Sequence, residues 1–339
     1  MKSIVLDDLV QLQKRFEFKE ALKSKSVLVT GATGLIGSQI IRFLDLLNST
    51  EMLDIHVFGV ARNREKAFAL PITGEVTWIF QDLQSQLCVE EKIDYIIHAA
   101  SPTQSVYLAQ NPVEVITDTV IGAKNVFECA KEQQAIVVYL SSVEIYGQIF
   151  NKESISEEDY GYINHLQSRS CYPEAKKLIE CMAASYSIEY GTDIRIARLT
   201  QTFGAGVSKT DNRVFAYFAK SIISGRDIVL HTHGNSSKSY IYTTDAINAL
   251  FYILFKGEKG EAYNVANRDT YMSIRDFAQT MINQFCPDIK LIVDVNEGMG
   301  YAPDTQVNLS TEKLEALGWK PIYGFNAMIT KLVNYLREE

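Results

Sequence analysis

The chain carries, near its N-terminus, the stretch Val27-Leu28-Val29-Thr30-Gly31-Ala32-Thr33-Gly34-Leu35-Ile36-Gly37. A strand-like run enters three glycines spaced three residues apart, and a helical pattern follows them, as is typical of dinucleotide-binding βαβ units. Gly31 permits a tight turn, Gly34 lets the backbone approach a pyrophosphate, and Gly37 allows close helix–strand packing. The N-terminus of the helix then faces the phosphates. We therefore predict dinucleotide contacts from Gly31, Thr33, Gly34, Leu35, Ile36 and Gly37.

A second motif, Tyr172-Pro173-Glu174-Ala175-Lys176, lies much further along the chain. Tyr172 and Lys176 are four residues apart and share one helix face, and Pro173 is tolerated in the first turn. A free phenol has a pKa near ~10, too high for a base at neutral pH. A nearby ammonium and the positive ring of a nicotinamide favour the phenolate. We predict that Tyr172 is a base, and that Lys176 tunes it and holds the nicotinamide ribose.

Length and composition describe an ordinary globular protein. The chain has 339 residues, 47% of them apolar, which corresponds to about two domains. Its net charge of −8 favours neither nucleic acid nor an anionic membrane surface as a partner. No apolar run approaches the ~20 residues of a membrane span, and the acidic pair Asp7 and Asp8 argues against a secretory signal. Five scattered cysteines without a C-x-x-C pair favour reduced thiols and a cytoplasmic location, and no metal site is predicted.

Strand-like and helical patterns alternate through the first two thirds of the chain. This alternation predicts an α/β fold: a Rossmann-type doubly wound parallel sheet, with a smaller C-terminal α/β lobe for the substrate. The expected strands are 27–30, 55–60, 76–80, 95–98, 136–140 and 194–198, and the expected helices are 35–47, 113–131 and 172–190. The expected units are an N-terminal helical extension at 1–24, a dinucleotide-binding Rossmann domain at 25–203 that 236–256 rejoins, and a substrate-binding lobe spanning most of 204–339.

The N-terminal extension has an amphipathic pattern. Leu6, Leu9, Leu12 and Phe16 recur at helical spacing, with polar residues between them. We expect a short helix that caps the main domain; a helix that docks a partner is the alternative.

The end of the second predicted strand bears on the choice of cofactor. A carboxylate there accepts hydrogen bonds from the ribose hydroxyls of NAD, but the segment 57–64 contains none. Arg62 and Asn63 suit the 2′-phosphate of NADP, although Arg62 could instead stack on adenine. We expect NAD or NADP, with NADP favoured.

Loops after the third and fourth strands complete the expected cofactor pocket. Asp82, beside Leu83, is predicted to accept a hydrogen bond from the adenine amine. Ala99, Ala100 and Ser101 are expected to line the cofactor with small side chains. The strand at 136–140 delivers two serines, Ser141 and Ser142, at the sheet edge where ligands bind α/β proteins.

These residues resemble the extended short-chain dehydrogenase/reductase family, which contains nucleotide-sugar epimerases, dehydratases and decarboxylases. The resemblance spans 26–321, and within it the run from Ala99 through Lys176 looks most like the UDP-glucuronate decarboxylases. It implies a triad of Ser142, Tyr172 and Lys176, a tightly bound cofactor that oxidises a sugar at C4 and later takes the hydride back, and a homodimer. The segments that carry it are 30–37, 98–102, 141–147, 168–176 and 317–321.

The second chemical step depends on Val143 and Glu144. By the resemblance, 4,6-dehydratases have Asp-Glu at this position, where the acid protonates the leaving hydroxyl and Glu takes the C5 proton. Val143 cannot donate a proton, so dehydration is disfavoured. Decarboxylases have Ser-Glu, from which Val143 also departs, whereas a 4-epimerase would tolerate it. Glu144 is either the acid/base of this step or a structural carboxylate.

The substrate half departs further from the family. Lys238 aligns with an arginine that binds the diphosphate, and an ammonium lacks the bidentate fork of a guanidinium. A second phosphate-binding arginine is missing near 301–304, and Gln201 replaces an asparagine. Arg213 matches a position near the nucleotide base. The predicted substrate-binding residues are Ser101, Ser142, Gln201, Arg213 and Lys238.

We expect an enzyme that oxidises a nucleotide sugar transiently at C4 and then epimerises or decarboxylates it. The alternatives are an NADPH-dependent keto-sugar reductase, a 4,6-dehydratase and a dinucleotide-binding protein without catalytic activity. The intact triad disfavours the last of these.

Overall fold

The computed structural model describes residues 3–150, 152–295 and 304–338. Its strands, in chain order, are β1 (Ser26–Thr30), β2 (His56–Ala61), β3 (Thr77–Phe80), β4 (Tyr95–His98), β5 (Ile136–Ser142), β6 (Ile194–Leu199), β7 (Gln201–Phe203), β8 (Ile228–Leu230), β9 (Ser237–Tyr242), β10 (Ala262–Val265), β11 (Asn267–Ser273), β12 (Leu291–Val293) and β13 (Gln306–Val307).

The helices alternate with these strands along most of the chain. They are α1 (Ser3–Arg15), α2 (Lys19–Leu22), α3 (Leu35–Glu51), α4 (Arg64–Phe68), α5 (Ser105–Gln110), α6 (Pro112–Gln133), α7 (Cys171–Glu189), α8 (Val214–Ile223), α9 (Thr243–Lys256), α10 (Ile274–Phe285), α11 (Glu312–Ala316) and α12 (Phe325–Glu338). None of the described helices is long and apolar enough to cross a bilayer.

A seven-stranded parallel sheet forms the core, in the order β10-β6-β5-β4-β1-β2-β3. Successive residues of its central strands point to opposite faces, and helices bury both faces. Val29 belongs to the apolar cluster that includes α3 and α9, whereas Leu28 belongs to the cluster that includes α6 and α7. The sheet confirms the predicted Rossmann-type doubly wound α/β class, and the strands and helices expected between 27 and 198 are present, with ends shifted by a few residues.

The later part of the chain contributes two small sheets and several helices. β9 pairs with β7, β11 and β13, while β8 pairs with β12. Helix α8 packs against α10 and α12. One strand of this half, β10, extends the seven-stranded sheet beside β6. The domain boundaries stay a prediction.

Helix α1 buries its apolar face against α3, α9 and α12. Leu9 and Leu12 are fully buried, whereas Leu6 remains substantially exposed. Asp8 on the same helix is buried, and its carboxylate accepts hydrogen bonds from Tyr242 Oη and Lys331 Nζ, both at 2.6 Å. These bonds join the N-terminal helix to residues more than two hundred positions away.

Candidate active site

The turn after β1 brings two loops into contact. Gly31 has φ +63°, and a Cβ there would lie 2.8 Å from the backbone nitrogen of Ala100, in the loop after β4. A Cβ on Gly37 would lie 2.3 Å from the carbonyl oxygen of Gly31. Gly34 N donates to that same oxygen at 2.9 Å. Both close approaches therefore require glycine, and they bring the start of α3 against the end of β1.

A buried histidine fixes this contact between the loops. His98 Nδ1 and Thr30 Oγ1 share a hydrogen bond of 2.7 Å, and Thr30 Oγ1 accepts another from Ala100 N at 3.2 Å. Burial, and to a smaller extent the charge of Lys176, lowers the pKa of His98 to about 3, so its ring is neutral. Sequence reasoning quoted this histidine without giving it a role; its place in a buried strand was the available signal.

A cavity of about 310 Å³ opens where the loops after β1, β2, β3 and β4 meet. Most of the predicted cofactor residues line it, whereas Tyr172 and Lys176 do not. The predicted residues that do so are Gly31, Thr33, Gly34, Arg62, Asp82, Leu83, Ala99, Ala100 and Ser101. Leu35, Ile36 and Gly37 lie in the first turn of α3, next to the lining glycines.

The polar lining of the cavity fits a dinucleotide. Ser101 Oγ and Thr119 Oγ1 line it, are buried, and have no hydrogen-bond partner within the described protein. A buried hydroxyl without a partner costs about 1–3 kcal/mol, which a ligand with polar groups offsets. With the glycine turn at the N-terminus of α3, these hydroxyls suit the phosphates and sugars of a dinucleotide.

The loop after β2 supplies positive charge at one end of the cavity. Arg62 Nη1 lies 3.5 Å from Asp82 Oδ2, and Asp82 Oδ1 accepts a hydrogen bond from Gln84 N at 2.9 Å. Asn63 Oδ1 accepts from Lys66 N at 2.8 Å and so caps α4. Lys66 also lines the cavity, which sequence reasoning missed. Arg62 and Lys66 are therefore the cations available to a phosphate here.

Tyr172 and Lys176 lie in the first turns of α7 and are 7% and 2% exposed. Lys176 Nζ donates to the carbonyl oxygen of Leu140 at 2.7 Å and lies 4.8 Å from the ring centre of Tyr139. Burial lowers the pKa of Lys176 to about 7, and the negative charge of Glu180 acts in the opposite direction. The ammonium is thus packed between α7 and β5.

Burial dominates the titration of Tyr172. It raises the pKa of the phenol above its ordinary value, and the charge of Glu144 adds to this increase. Ser142, Arg169 and Arg213 lower the pKa by smaller amounts. The sequence argument expected positive charge to favour the phenolate; in the structure, desolvation outweighs the charges that surround the phenol.

Glu144 occupies a short 3₁₀ turn directly after β5. Its carboxylate forms an ion pair with Arg169, with 3.0 Å between Oε2 and Nη2. Val143 packs against the apolar cluster of Ile145 and Tyr146. Sequence reasoning missed Arg169 as the partner of Glu144, although Arg169 lies three residues before Tyr172.

The predicted substrate residues occupy several elements. Lys238 lies on β9, and burial lowers its pKa while Glu144 raises it, so these two side chains interact. Arg213 precedes α8 and is held by Asp211, with Nε–Oδ distances of 3.1 and 3.0 Å. Gln201 begins β7, opposite Tyr240 of β9. The sequence analysis noted that a second phosphate-binding arginine is missing near 301–304. Residues 301–303 of that segment lie outside the described part of the chain.

Two contacts join Tyr172 and Lys176 to the cavity. Tyr107 lines the cavity and packs against the cluster that contains Tyr172 and Cys171. His98 also lines it and interacts electrostatically with Lys176. Tyr172 and Lys176, the predicted catalytic residues, therefore lie beside the cavity.

Fold and cavity define the class: a Rossmann-type α/β protein with a site at the C-terminal ends of its parallel strands. A profile of the NAD-dependent epimerase/dehydratase family matches residues 27–266, and the chain belongs to that family. The members of this family are enzymes, and the cofactor is a nicotinamide dinucleotide.

Similar proteins include a decarboxylase and the solved structures of a dehydratase and an epimerase. The chain is 29% identical over 301 residues to UDP-glucuronic acid decarboxylase 6 of Arabidopsis thaliana, covering 87% of this chain and 84% of that protein. Its fold resembles the dTDP-glucose 4,6-dehydratase DesIV of Streptomyces venezuelae, solved with NAD and TYD, with a TM-score of 0.78, 22% identity and coverage of 93% and 97%.

A further solved structure is a UDP-N-acetylglucosamine 4-epimerase from Methanobrevibacter ruminantium M1, in complex with UDP-N-acetylmuramic acid. Its TM-score is 0.79 at 21% identity, over 93% of this chain and 99% of that one. At these identities the two solved structures support the fold, and the assignment of individual site residues stays a prediction.

Proposed function

We propose that this protein modifies a nucleotide sugar with a tightly bound nicotinamide cofactor, by transient oxidation at C4 followed by epimerisation or decarboxylation and re-reduction. The observation that carries this proposal is that Tyr172 on α7 interacts with Ser142 at the end of β5, while Lys176 donates to the carbonyl oxygen of Leu140 on the same strand. His98 and Tyr107 connect this cluster to the glycine-lined cavity. The cofactor, when bound, accepts a hydride from the sugar and later returns it.

Each member of the triad has a distinct role in this proposal. Tyr172 removes the proton of the C4 hydroxyl, and Ser142 donates a hydrogen bond to the same oxygen. Lys176 binds the nicotinamide ribose and adds positive charge near the phenol. Because burial raises the pKa of Tyr172, the phenolate depends on positive charge that arrives with the oxidised cofactor.

Glu144 is the proposed acid/base of the second step. Its ion pair with Arg169 holds the carboxylate at the end of β5, next to Ser142. The apolar packing of Val143 leaves no proton donor at the position where a dehydratase would need one. Dehydration is therefore disfavoured, whereas epimerisation needs only oxidation, rotation of the keto sugar and reduction.

We favour NADP over NAD because Arg62 and Lys66 both line the cavity and the end of β2 has no carboxylate. The same feature supports the second candidate function, an NADPH-dependent keto-sugar reductase that releases its cofactor in every cycle. Steady NADPH consumption with a keto sugar would select the reductase. Stoichiometric NAD in an extract of the denatured enzyme would contradict the preference for NADP.

We also propose a homodimer through α6 and α7, which pack against one another. Val113 and Ile116 on α6, and Leu178 and Ile188 on α7, are exposed apolar side chains on these helices.

A cytoplasmic location is supported by the free thiols of the cysteines.

The proposal is tested by screening uridine, thymidine, cytidine and guanosine diphosphate sugars for thermal stabilisation, then following the best ligand by NMR. A changed C4 configuration indicates epimerisation, and a lost carboxylate indicates decarboxylation. Tyr172→Phe should abolish turnover while the cofactor content stays that of the parent. Parental turnover in this variant, or no conversion of any sugar, would refute the proposal.

A further inference from the structure

Three residues of one helix face meet three consecutive residues of β5. Tyr172, Lys176 and Glu180 are spaced by one helical turn along α7. Lys176 Nζ donates to the carbonyl oxygen of Leu140, while Ser141 Oγ donates to Glu180 Oε1. The strand thus binds the ammonium and the carboxylate through adjacent residues, directly before Ser142.

The guanidinium of Arg198, on the neighbouring strand β6, binds the carboxylate of Glu180. Arg198 on β6 donates to Glu180 Oε2 through Nη2 at 2.7 Å and through Nε at 3.1 Å. Its Nη1 donates to Tyr146 Oη at 3.0 Å and to the carbonyl oxygen of Glu157 at 2.7 Å. Lys176, Glu180 and Arg198 are all buried, and the hydrogen bonds from Ser141 and Arg198 hold the Glu180 carboxylate in place.

We infer that Glu180, held by Ser141 and Arg198 one helical turn beyond Lys176, is a positioning residue that keeps the lysine side chain in its charged form where it binds the end of β5. The inference rests on the proposed role of Lys176 in holding the cofactor ribose. It assigns a function to a buried ion pair that the triad does not include. A buried cation requires a nearby anion, and an isolated ammonium in this environment would lose its proton.

The groups around Lys176 show why Glu180 has this role. The side chain of Lys176 faces His98 of β4, whose ring is neutral. From β5, Lys176 faces the phenol of Tyr139 and the carbonyl oxygen of Leu140. Tyr172 precedes it on α7, at 5.7 Å from the ammonium to the ring centre. Among the described groups identified as interacting with Lys176, Glu180 supplies the negative charge, and it raises the lysine pKa against desolvation.

The test compares Glu180→Gln with Glu157→Gln. Glu157 is a matched control because it is a buried carboxylate of the same network, accepts from Asn264 N at 2.6 Å, and does not act on Lys176. Dinucleotide affinity is measured by titration from about pH 5.5 to 9.5. A charge-assisted bond is about twice as strong as a neutral one, so affinity should fall about fivefold once Lys176 loses its proton.

In Glu180→Gln the midpoint of this fall should move at least about one pH unit lower, as expected for the loss of a close opposite charge. The alkaline limb of turnover should move with it, and Glu180→Asp should restore much of both. Glu157→Gln should keep the parental midpoint even where its melting temperature is reduced.

A folded Glu180→Gln protein with the parental midpoint overturns the inference. If that variant does not fold, Glu180→Gln is combined with Arg198→Met, which removes both charges of the pair. The lost guanidinium partly offsets the lost carboxylate, so the midpoint should still fall below that of the parent but by less; a midpoint at or above the parental value overturns the inference. Failure to convert any nucleotide sugar would refute the proposed function alone, because the affinity midpoint does not require a substrate.

Discussion

Gly37→Ala should damage the cofactor site through the backbone. An alanine Cβ would lie 2.3 Å from the carbonyl oxygen of Gly31 and 2.9 Å from its carbonyl carbon. These are backbone atoms, so no side-chain rotation relieves the overlap. Gly31 itself packs closely against the loop after β4, since a Cβ there would lie 2.8 Å from the backbone of Ala100.

The expected magnitude follows from two opposing effects. Alanine is better than glycine inside a helix by about 1 kcal/mol, so helix propensity alone predicts that this variant is more stable. Overpacking of a closely packed site costs about 1–3 kcal/mol, and here the backbone must move. We expect the free energy of unfolding to fall by up to about 2 kcal/mol overall. Dinucleotide affinity should fall at least tenfold, because the displaced Gly31 lines the cavity.

Urea unfolding and dinucleotide titration measure both quantities. Gly324→Ala is the control, since an alanine there has no heavy atom within 4 Å of its Cβ. It should unfold within about 0.5 kcal/mol of the parent, as surface substitutions usually do, and bind the dinucleotide normally. A Gly37→Ala protein as stable as the parent, with unchanged affinity, would refute the packing argument.

Three further outcomes are expected. Arg62→Ala and Lys66→Ala should each weaken NADP binding about tenfold in titrations and leave NAD binding nearly unchanged; equal losses would contradict a 2′-phosphate contact. Glu144→Gln should reduce NMR-monitored decarboxylation at least about 10²-fold but spare epimerisation. Burial raises the pKa of Asp245 to about 7. The folded state therefore holds this proton more tightly than the unfolded chain, and the free energy of unfolding should fall as the pH rises from about 4 to 7, by at most ~1.4 kcal/mol per pH unit. Asp245→Asn should lack that slope in urea unfolding; an unchanged slope would exclude Asp245 as its source.

Periodicity and local chemistry were sufficient to predict the layered sheet. Strands such as β1 and β4 are continuous apolar runs because helices bury both of their faces. The glycine spacing predicted the turn before α3, where Gly31 and Gly37 are close to other backbone atoms. The strand pattern and the contact between Gly37 and Gly31 depend on neighbours within a few residues, which a sequence shows directly, whereas the approach of Gly31 to Ala100 joins distant loops.

Contacts between distant segments were not accessible in the same way. The Glu144–Arg169 pair joins residues 25 positions apart across an irregular loop, and no periodic pattern connects them. Lys66 lines the cavity from a short helix, capped by Asn63, that sequence reasoning did not predict. A side chain in an irregular segment can point in many directions, so its partner is determined by the folded loop.

The spacing of Tyr172, Lys176 and Glu180 was visible in the sequence, yet its meaning depends on the register between α7 and β5. A helix places these residues on one face about 6 Å apart, whereas a strand turns successive side chains to opposite faces. One strand can therefore bind two helix residues at adjacent positions only if one bond uses its backbone. Lys176 uses the carbonyl oxygen of Leu140, and Glu180 uses the side chain of Ser141. Ser142, the next residue of the strand, accepts a hydrogen bond from Glu144 N and interacts with Tyr172 at the start of the same helix.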